Sequence, residues 1–220
     1  PERENDGYFQ RIRAIDRLFD DRWRIYVDSH PLEGQNLWFD LPAPRTLVLR
    51  MTGGRKRRLF VKALVMLCAL RCRAIYFHSV LRMEESRFGR LMRWPGIRKV
   101  IDVHGVVPEE FRLYNDFYSA VLFEAHERLA VRKADCVIVV TEAMNRYLRQ
   151  KYRDAFRGEA IALPIFPGLA PFREARPYVD GKPVVVYAGG LHKWQQVPKM
   201  VDAIGRTYRS CLHRFYCPDP

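Results

Sequence analysis

The chain has 220 residues, of which 48% are hydrophobic and 13% aromatic, so it can bury a sizeable core and extended disorder is not expected. No apolar run reaches the roughly 18 residues that span a bilayer, and the polar opening PERENDGYFQ is unlike a signal peptide. The formal net charge of +13 implies an anionic partner, which leaves nucleic acid, an anionic membrane and phosphorylated small molecules open.

Helices and strands alternate along residues 8–165. Apolar side chains spaced by three and four residues predict an amphipathic helix over 8–21. A strand is predicted at 23–28, and a loop rich in Pro and Gly follows it and runs through Pro44. Further strands are predicted at 46–51, 74–80, 99–105, 136–141 and 160–165, and further helices at 55–73, 84–94, 107–134 and 142–152.

This alternation predicts an α/β fold with a Rossmann-like parallel sheet and flanking helices. The apolar strands CVIVV and VVVYA are typical of strands buried on both faces. Prolines crowd the stretch after residue 163, so we predict domains at 1–165 and 183–220, joined by a linker at 166–182. Ligands bind beyond the carboxyl ends of strands in such sheets, which makes motifs at strand ends the first candidates for a site.

The segment IDVHGVVPEE (101–110) follows one predicted strand end. There His104 can hydrogen-bond a sugar hydroxyl or a phosphate oxygen, or exchange a proton near neutral pH. The alternative is a histidine that only satisfies local backbone groups. Glu109 and Glu110 fit either a functional site or the start of the next helix, where carboxylates are favourable. At the next strand end, Thr141 and the acidic residue after it are better explained as helix capping.

The third strand end is VVVYAGGLHKWQQV (184–197). Gly189 and Gly190 allow the backbone to approach a ligand closely, and N–H groups at the following helix start favour an anion. His192 and Lys193 add positive charge beside the turn. The pattern is neither a P-loop nor the dinucleotide fingerprint, so phosphate binding and a simple tight turn both remain open.

Taken together, DVHGVVPEE, RKADCVIVVTEAMNRYL, the Pro-rich stretch and VVVYAGGLHKWQQVPKMVDAI resemble, in this order, a GT-B fold glycosyltransferase of the GT4 type. The resemblance covers roughly Asp6 to Pro220 and is most specific at 101–150 and 184–204. It implies an N-terminal domain that binds the acceptor and a C-terminal domain that binds a nucleotide-diphosphate sugar. Transfer then proceeds with retention of anomeric configuration, without a cofactor or a bound metal.

The resemblance also implies roles for individual residues. His104 corresponds to the family residue that lies over the donor sugar and diphosphate, and we expect it to be catalytic. Gly189 corresponds to the glycine that approaches the donor phosphates. The acceptor-side candidates are Gly7, Tyr8, Gly105 and Glu109, and the donor diphosphate candidates are Gly189, Gly190, His192, Lys193 and Gln195.

The sequence departs from the family pattern in three ways. Gly190 and Gln195 stand where many relatives have an Arg and a Lys that hold the diphosphate. Either Lys193, or His192 when protonated, substitutes for them, or the leaving group is stabilised less well. No two Glu residues have seven residues between them, although the family's donor domain carries such a pair. The first strand of the N-terminal domain also has no counterpart. We therefore expect an N-terminal domain without its first strand, followed by an incomplete second Rossmann-like domain.

The leading functional hypothesis is a fragment of a cytoplasmic glycosyltransferase that transfers sugar to a polysaccharide, lipopolysaccharide or glycolipid, and that is inactive as this chain alone. The alternative is a catalytically inactive, glycosyltransferase-like binding domain. The segment 55–73 is either a peripheral contact with an anionic membrane or, as we favour, a sheet-flanking helix with a solvated basic start. Nucleic-acid binding rests on charge alone, and we expect none.

Overall fold

The computed structural model describes residues 7–28, 38–51, 53–85, 88–164, 178–179 and 181–217. The helices in these ranges are α1 (Gly7–Asp16), α2 (Arg55–Ala69), α3 (Val80–Glu85), α4 (Val107–Leu113), α5 (Phe117–Lys133), α6 (Glu142–Tyr152) and α7 (Val197–Thr207). The strands are β1 (Arg24–Asp28), β2 (Phe39–Ala43), β3 (Thr46–Arg50), β4 (Ala74–Phe77), β5 (Arg98–Val103), β6 (Cys136–Val139), β7 (Glu159–Ala162), β8 (Tyr178–Val179), β9 (Lys182–Ala188) and β10 (Leu212–Tyr216).

Strands β4 to β7 form a four-stranded parallel sheet in chain order. Helices connect each pair of strands, because parallel strands need a crossover connection. Ile101, Val103, Val137 and Val139 are at most 1% exposed, so β5 and β6 occupy the centre of the core. The predicted Rossmann-like α/β architecture with flanking helices is therefore confirmed.

The first sheet has the order β1-β3-β2, with β1 parallel and β2 antiparallel to β3. The sequence predicted only a loop where β2 lies, and this was wrong. Pro42 fits β2 because the strand is at the sheet edge, where a missing N–H is tolerated, and its pairing shifts register between Asp40 and Ala43. Leu49 of β3 is fully buried and joins the same core as the four-stranded sheet.

The predicted helix over 107–134 is two helices, α4 and α5, and the single-helix prediction was wrong. Asn115 has a φ of 62°, in the left-handed region that ends a helix. Asp116 then starts the second helix, because its carboxylate accepts a hydrogen bond from the N–H of Ser119 at 3.0 Å. Asn and Asp are residues that favour these two conformations, so the signal was present in the sequence.

Two other helix starts can be compared with the sequence. Thr141 caps α6 as predicted, because its Oγ1 accepts a hydrogen bond from the N–H of Met144 at 3.1 Å. The helix predicted over 84–94 instead comprises α3, which begins four residues earlier, and a separate 3-10 helix at Phe88–Arg93. The preceding strand β4 accordingly ends at Phe77 rather than at residue 80.

A smaller sheet has the order β10-β9-β8, with α7 between β9 and β10 in the chain. The pairing of β9 with β10 is parallel, as expected for the start of a second Rossmann-like unit. Val185 and Val186 are 48% and 56% exposed, so the prediction that VVVYA is buried on both faces was wrong for the described residues. Most of the predicted linker, 166–177 and residue 180, lies outside the described residues, and the domain boundaries stay a prediction.

Helix α2 combines one buried face with exposed apolar side chains. Val61, Val65 and Ala69 pack into the core, as the sheet-flanking interpretation expects. On other faces, Leu59 and Leu67 are 58% and 62% exposed. Among the helices that the structure describes, none is both long enough and apolar enough to span a bilayer.

Candidate functional site

A pocket of about 260 Å³ opens at the carboxyl ends of β4 and β5. This is the edge at which ligands bind in parallel α/β sheets. The residues that follow β5 supply its polar groups, while apolar side chains from α3 and the end of β5 supply much of its wall. It is lined by Ser79, Val80, Leu81, Val103, His104, Gly105, Val107 and Glu110.

His104 lies at this pocket and is held by a buried carboxylate. Its Nε2 is 3.1 Å from Oδ2 of Asp102, two residues earlier in the chain. The His104 side chain is 15% exposed, whereas Asp102 is fully buried. A carboxylate bound to one ring nitrogen fixes the orientation of the imidazole and favours the tautomer protonated at that nitrogen. Asp102 is therefore a positioning residue for His104, which the sequence did not identify.

Asp102 is itself fixed by groups that come from distant parts of the chain. Arg11 of α1 binds it through two hydrogen bonds, from Nε at 2.7 Å and from Nη2 at 2.8 Å, and the hydroxyl of Tyr76 donates a third. Arg11 also donates to the carbonyl oxygen of Leu163, just beyond β7, at 2.6 Å. The side chain thus connects α1 to the carboxyl ends of β5 and β7.

The electrostatics keep Asp102 ionised. Burial by itself raises the pKa of Asp102, but hydrogen bonds from His104 and Arg11 outweigh it and bring the pKa below its usual value. Burial and the nearby Asp102 charge raise the pKa of Tyr76, so its hydroxyl keeps its proton and acts as a donor. The result is a buried, ionised carboxylate with fixed donors, directly beside the imidazole of His104.

A second histidine, His78, lies close to this group and was also not identified from sequence. Burial lowers the pKa of His78 to about 4, so the ring is neutral at physiological pH. The ring packs against Tyr76 with centroids 4.7 Å apart. Its Nδ1 is buried and has no hydrogen-bond partner among the residues that the structure describes.

Glu109, predicted on the acceptor side, lies in a polar network between α4 and α6. Its Oε1 accepts hydrogen bonds from Lys151 at 2.7 Å and Tyr147 at 2.6 Å. Burial raises the pKa of Glu109, but the hydrogen bonds from Lys151 and Tyr147 lower it below the usual value. Lys151 also binds the fully buried Glu127 at 2.9 Å. The contacts of Glu109 within the described residues are thus structural, and its contact with an acceptor stays a prediction.

Glu110, rather than Glu109, lines the pocket. Its carboxylate packs directly on Gly105, because a methyl group added to Gly105 would overlap Oε1 of Glu110. Burial and the charge of Glu109 raise the pKa of Glu110, while the charge of His192 opposes this rise. Gly105 is thus needed for a close approach of this carboxylate, a more specific role than a tight loop.

The glycine turn after β9 is packed by its own neighbours. The N–H of Gly189 donates to the carbonyl of Tyr216 at 3.0 Å, so it is already used in the sheet. The N–H of Gly190 makes no hydrogen bond within the described residues and is the better candidate for a phosphate. The Oε1 of Gln195 is buried beside the turn and also has no partner in the described parts of the chain.

The candidate cations of the second unit lie close to α4. His192 is exposed and stacks on Trp194, with ring centroids 4.4 Å apart and planes 16° from parallel. The Nζ of Lys193 lies 5.1 Å from the centroid of the Tyr114 ring, and its backbone N–H lies 3.4 Å from the Tyr114 hydroxyl. Trp194 meets the edge of Tyr114 at 5.8 Å. Tyr114 therefore connects the end of α4 to the segment that follows the glycine turn.

The last two predicted acceptor-side residues, Gly7 and Tyr8, begin α1, one turn before Arg11. The Tyr8 side chain lies outside the described residues, so its role stays a prediction.

Within the described ranges, no three His, Cys, Asp or Glu side chains are grouped so that they could hold a metal ion. The long-range partners Arg11, Tyr76 and Asp102 carried no local sequence signal beyond their polarity in an otherwise apolar context.

Comparison with known protein families identifies the family of the chain. A family model described as a glycosyl transferase 4-like domain matches residues 14–164, which include β1 to β7 and the pocket. A search of curated proteins finds no match to the chain. The family match covers more than half of the chain and includes both the parallel sheet and His104 at its edge. The chain therefore belongs to the glycosyltransferases with a glycosyl transferase 4-like domain.

Proposed function

We propose that the protein transfers a sugar from a nucleotide-diphosphate sugar to a polysaccharide, lipopolysaccharide or glycolipid acceptor, with retention of anomeric configuration and without a cofactor. The observation that carries the proposal is the pocket at the carboxyl ends of β4 and β5, where Asp102 holds His104. Membership of the glycosyl transferase 4-like family supports the reaction class.

In this proposal, His104 contacts the reacting sugar and the second unit holds the diphosphate. The ionised Asp102 fixes the orientation of the His104 imidazole beside the reacting sugar. The N–H of Gly190 and the side chains of His192 and Lys193 are the groups proposed to bind the phosphates. The Tyr114 contact supports this assignment, since it keeps the Lys193 segment beside α4.

Isothermal titration calorimetry of the protein with UDP-glucose, UDP-galactose and GDP-mannose tests the proposal. Saturable binding of one of them, weakened by His104→Ala, is the expected result. The same donor in radiolabelled form is then incubated with the protein and bacterial membrane lipids. Label transferred to lipid or glycan indicates an active enzyme, whereas binding without transfer fits both the inactive binding domain and an enzyme fragment that is inactive as this chain alone. Absence of binding to every donor would rule out both.

We also propose a peripheral contact with the cytoplasmic face of an anionic membrane. Helix α2 starts with the exposed basic run at 55–58, and the side chains of Leu59, Phe60, Leu67 and Leu70 are each more than half exposed. A basic segment next to exposed apolar side chains is the combination that binds anionic bilayers.

Co-sedimentation with vesicles tests this contact. We expect binding to vesicles with about 30% phosphatidylglycerol but not to vesicles of phosphatidylcholine alone, because a basic segment is attracted to anionic lipids. The double variant Leu59→Ser/Phe60→Ser should lose most of the binding. A matched double change at exposed apolar positions of the second sheet, Val185→Ser/Val186→Ser, should not. Equal binding to both kinds of vesicle would contradict the proposal.

A further inference from the structure

Two adjacent carboxylates, Glu109 and Glu110, have opposite surroundings. Glu109 is bound by Lys151, Tyr147 and Arg112. The carboxylate of Glu110 lies at the pocket and makes no hydrogen bond or ion pair with the residues that the structure describes. A half-buried carboxylate that has no partner among the described residues is costly unless something else supplies donors.

The position of this carboxylate is built into the fold. Glu110 projects from the first half of α4 onto the backbone of Gly105, and a side chain at position 105 would occupy the space of its Oε1. Gly105 and His104 come from the turn after β5, so the sheet edge and α4 together aim the Glu110 carboxylate at the pocket that His104 also lines. The absence of a Cβ at Gly105 is what allows this contact.

We infer that Glu110 is a sugar-binding residue, whose carboxylate accepts hydrogen bonds from hydroxyl groups of a single pyranose ring that occupies the pocket beside His104. The ring's hydroxyls supply the donors that Glu110 lacks. The apolar wall formed by Val80, Leu81 and Val103 suits the C–H face of the same ring.

The size and electrostatics of the pocket support this ligand class. Its volume of about 260 Å³ is just below the range of about 300–1,000 Å³ typical of small-molecule sites, so it fits one sugar ring better than an entire nucleotide sugar. Burial and the charge of Glu109 raise the pKa of Glu110, with His192 opposing them. Hydroxyl groups donate hydrogen bonds to the ionised carboxylate of Glu110, whereas an anionic group would be repelled by it, so hydroxyl groups bind better at this position.

The inference rests on the proposed function for the source of the ring, which is either the donor sugar or the sugar of the acceptor. The two sources predict different probes. A donor sugar brings a nucleotide with it, so UDP-glucose, UDP-galactose or GDP-mannose is bound. An acceptor sugar is mimicked by the methyl glycosides of glucose, galactose and mannose, which carry no phosphate.

The test compares wild type with Glu110→Gln, Gly105→Ala and the control Glu142→Gln. Glu142 is exposed in the first turn of α6, so its change removes a helix-start carboxylate away from the pocket. Nucleotide sugars, UDP and GDP are titrated by calorimetry, and methyl glycosides are followed by saturation-transfer NMR. Gly105→Ala leaves Glu110 in place but displaces its carboxylate, so it tests position separately from charge.

We expect Glu110→Gln and Gly105→Ala to weaken binding of the sugar probe by about tenfold or more, the usual effect of losing a hydrogen bond to a charged group. Binding of UDP or GDP should be unchanged, and the control should match wild type. Both variants should melt at about the wild-type temperature, because Glu110 has no partner to lose among the described residues and the end of its flexible side chain can move away from a methyl group at position 105.

Two of the possible results separate the role of Glu110 from the proposed function. Unchanged binding of every sugar probe by Glu110→Gln would overturn the role of Glu110 while leaving the proposed function intact. Glu110-dependent binding of methyl glycosides, without binding of any nucleotide or nucleotide sugar, would support the sugar site and refute the proposed donor. A wild-type protein that binds none of the probes would overturn both.

Discussion

Replacing Asp102 with Asn removes the charge that holds Arg11 and His104 while keeping the shape of the side chain. Arg11 and Asp102 side chains are 2% and 0% exposed, so solvent does not screen their interaction. Breaking a buried ion pair by changing one partner costs about 3–5 kcal/mol, because the other charge stays buried. Arg11 keeps its bond to the Leu163 carbonyl, which favours the lower half of that range.

This loss is large compared with total stability, since single domains unfold with about 5–15 kcal/mol. For a chain of this size, 1 kcal/mol shifts the Tm by about 2–4 °C, so Asp102→Asn should lower it by about 6–16 °C. The measurement is urea unfolding followed by tryptophan fluorescence, with thermal melting as a second readout. Asp20→Asn is the control, because Asp20 also pairs with an arginine but is 69% exposed, and it should match wild type.

The pH dependence gives an independent check with a definite sign. The folded pKa of Asp102 lies below its unfolded value of about 3.9, so its contribution is complete above that value and is lost as pH falls through the folded pKa. Asp102→Asn should therefore differ most from wild type at neutral pH, and the difference should begin to shrink only below about pH 4 and vanish below the folded pKa. A variant as stable as wild type at pH 7, or a difference that persists in acid, would refute the reasoning.

Three further predictions follow from local features of the structure. The folded pKa of His78, about 4, lies below its unfolded value, so wild type should lose stability as pH falls from about 6.5 to about 4. His78→Gln should lose less stability over this range, as measured by circular dichroism during an acid titration. Glu109→Gln should lower the free energy of unfolding by about 2 kcal/mol in urea, because Lys151 loses a charged partner, and an unchanged value would contradict the network. Asn115→Ala should lower the Tm by a few degrees, because a left-handed φ costs about 1 kcal/mol for Ala but is tolerated by Asn, whose side chain can hydrogen-bond locally. Asn115→Gly should not lower it, since Gly has no Cβ, and equal melting of both variants would show that this φ is not needed.

The sequence by itself determined the features that are encoded within a few neighbouring residues. The apolar strands β5 and β6, the position of His104 directly after β5, and the Thr141 cap of α6 all follow from local periodicity and side-chain chemistry. The order of motifs also identified the family that the comparison with known proteins confirms. The break at Asn115 was encoded in the same local way but was overridden by the long helical pattern around it.

Only the tertiary structure decided which polar groups meet. Arg11 and Asp102 are 91 residues apart in sequence, and no periodicity links them. The sequence offered Glu109 and Glu110 as a pair, but the direction of α4 against β5 and α6 places one in an ion network and the other at the pocket. Adjacent residues on a helix point about 100° apart, so packing alone assigns their roles. For the same reason, the exposed apolar faces of β9 became visible only once its neighbours were placed.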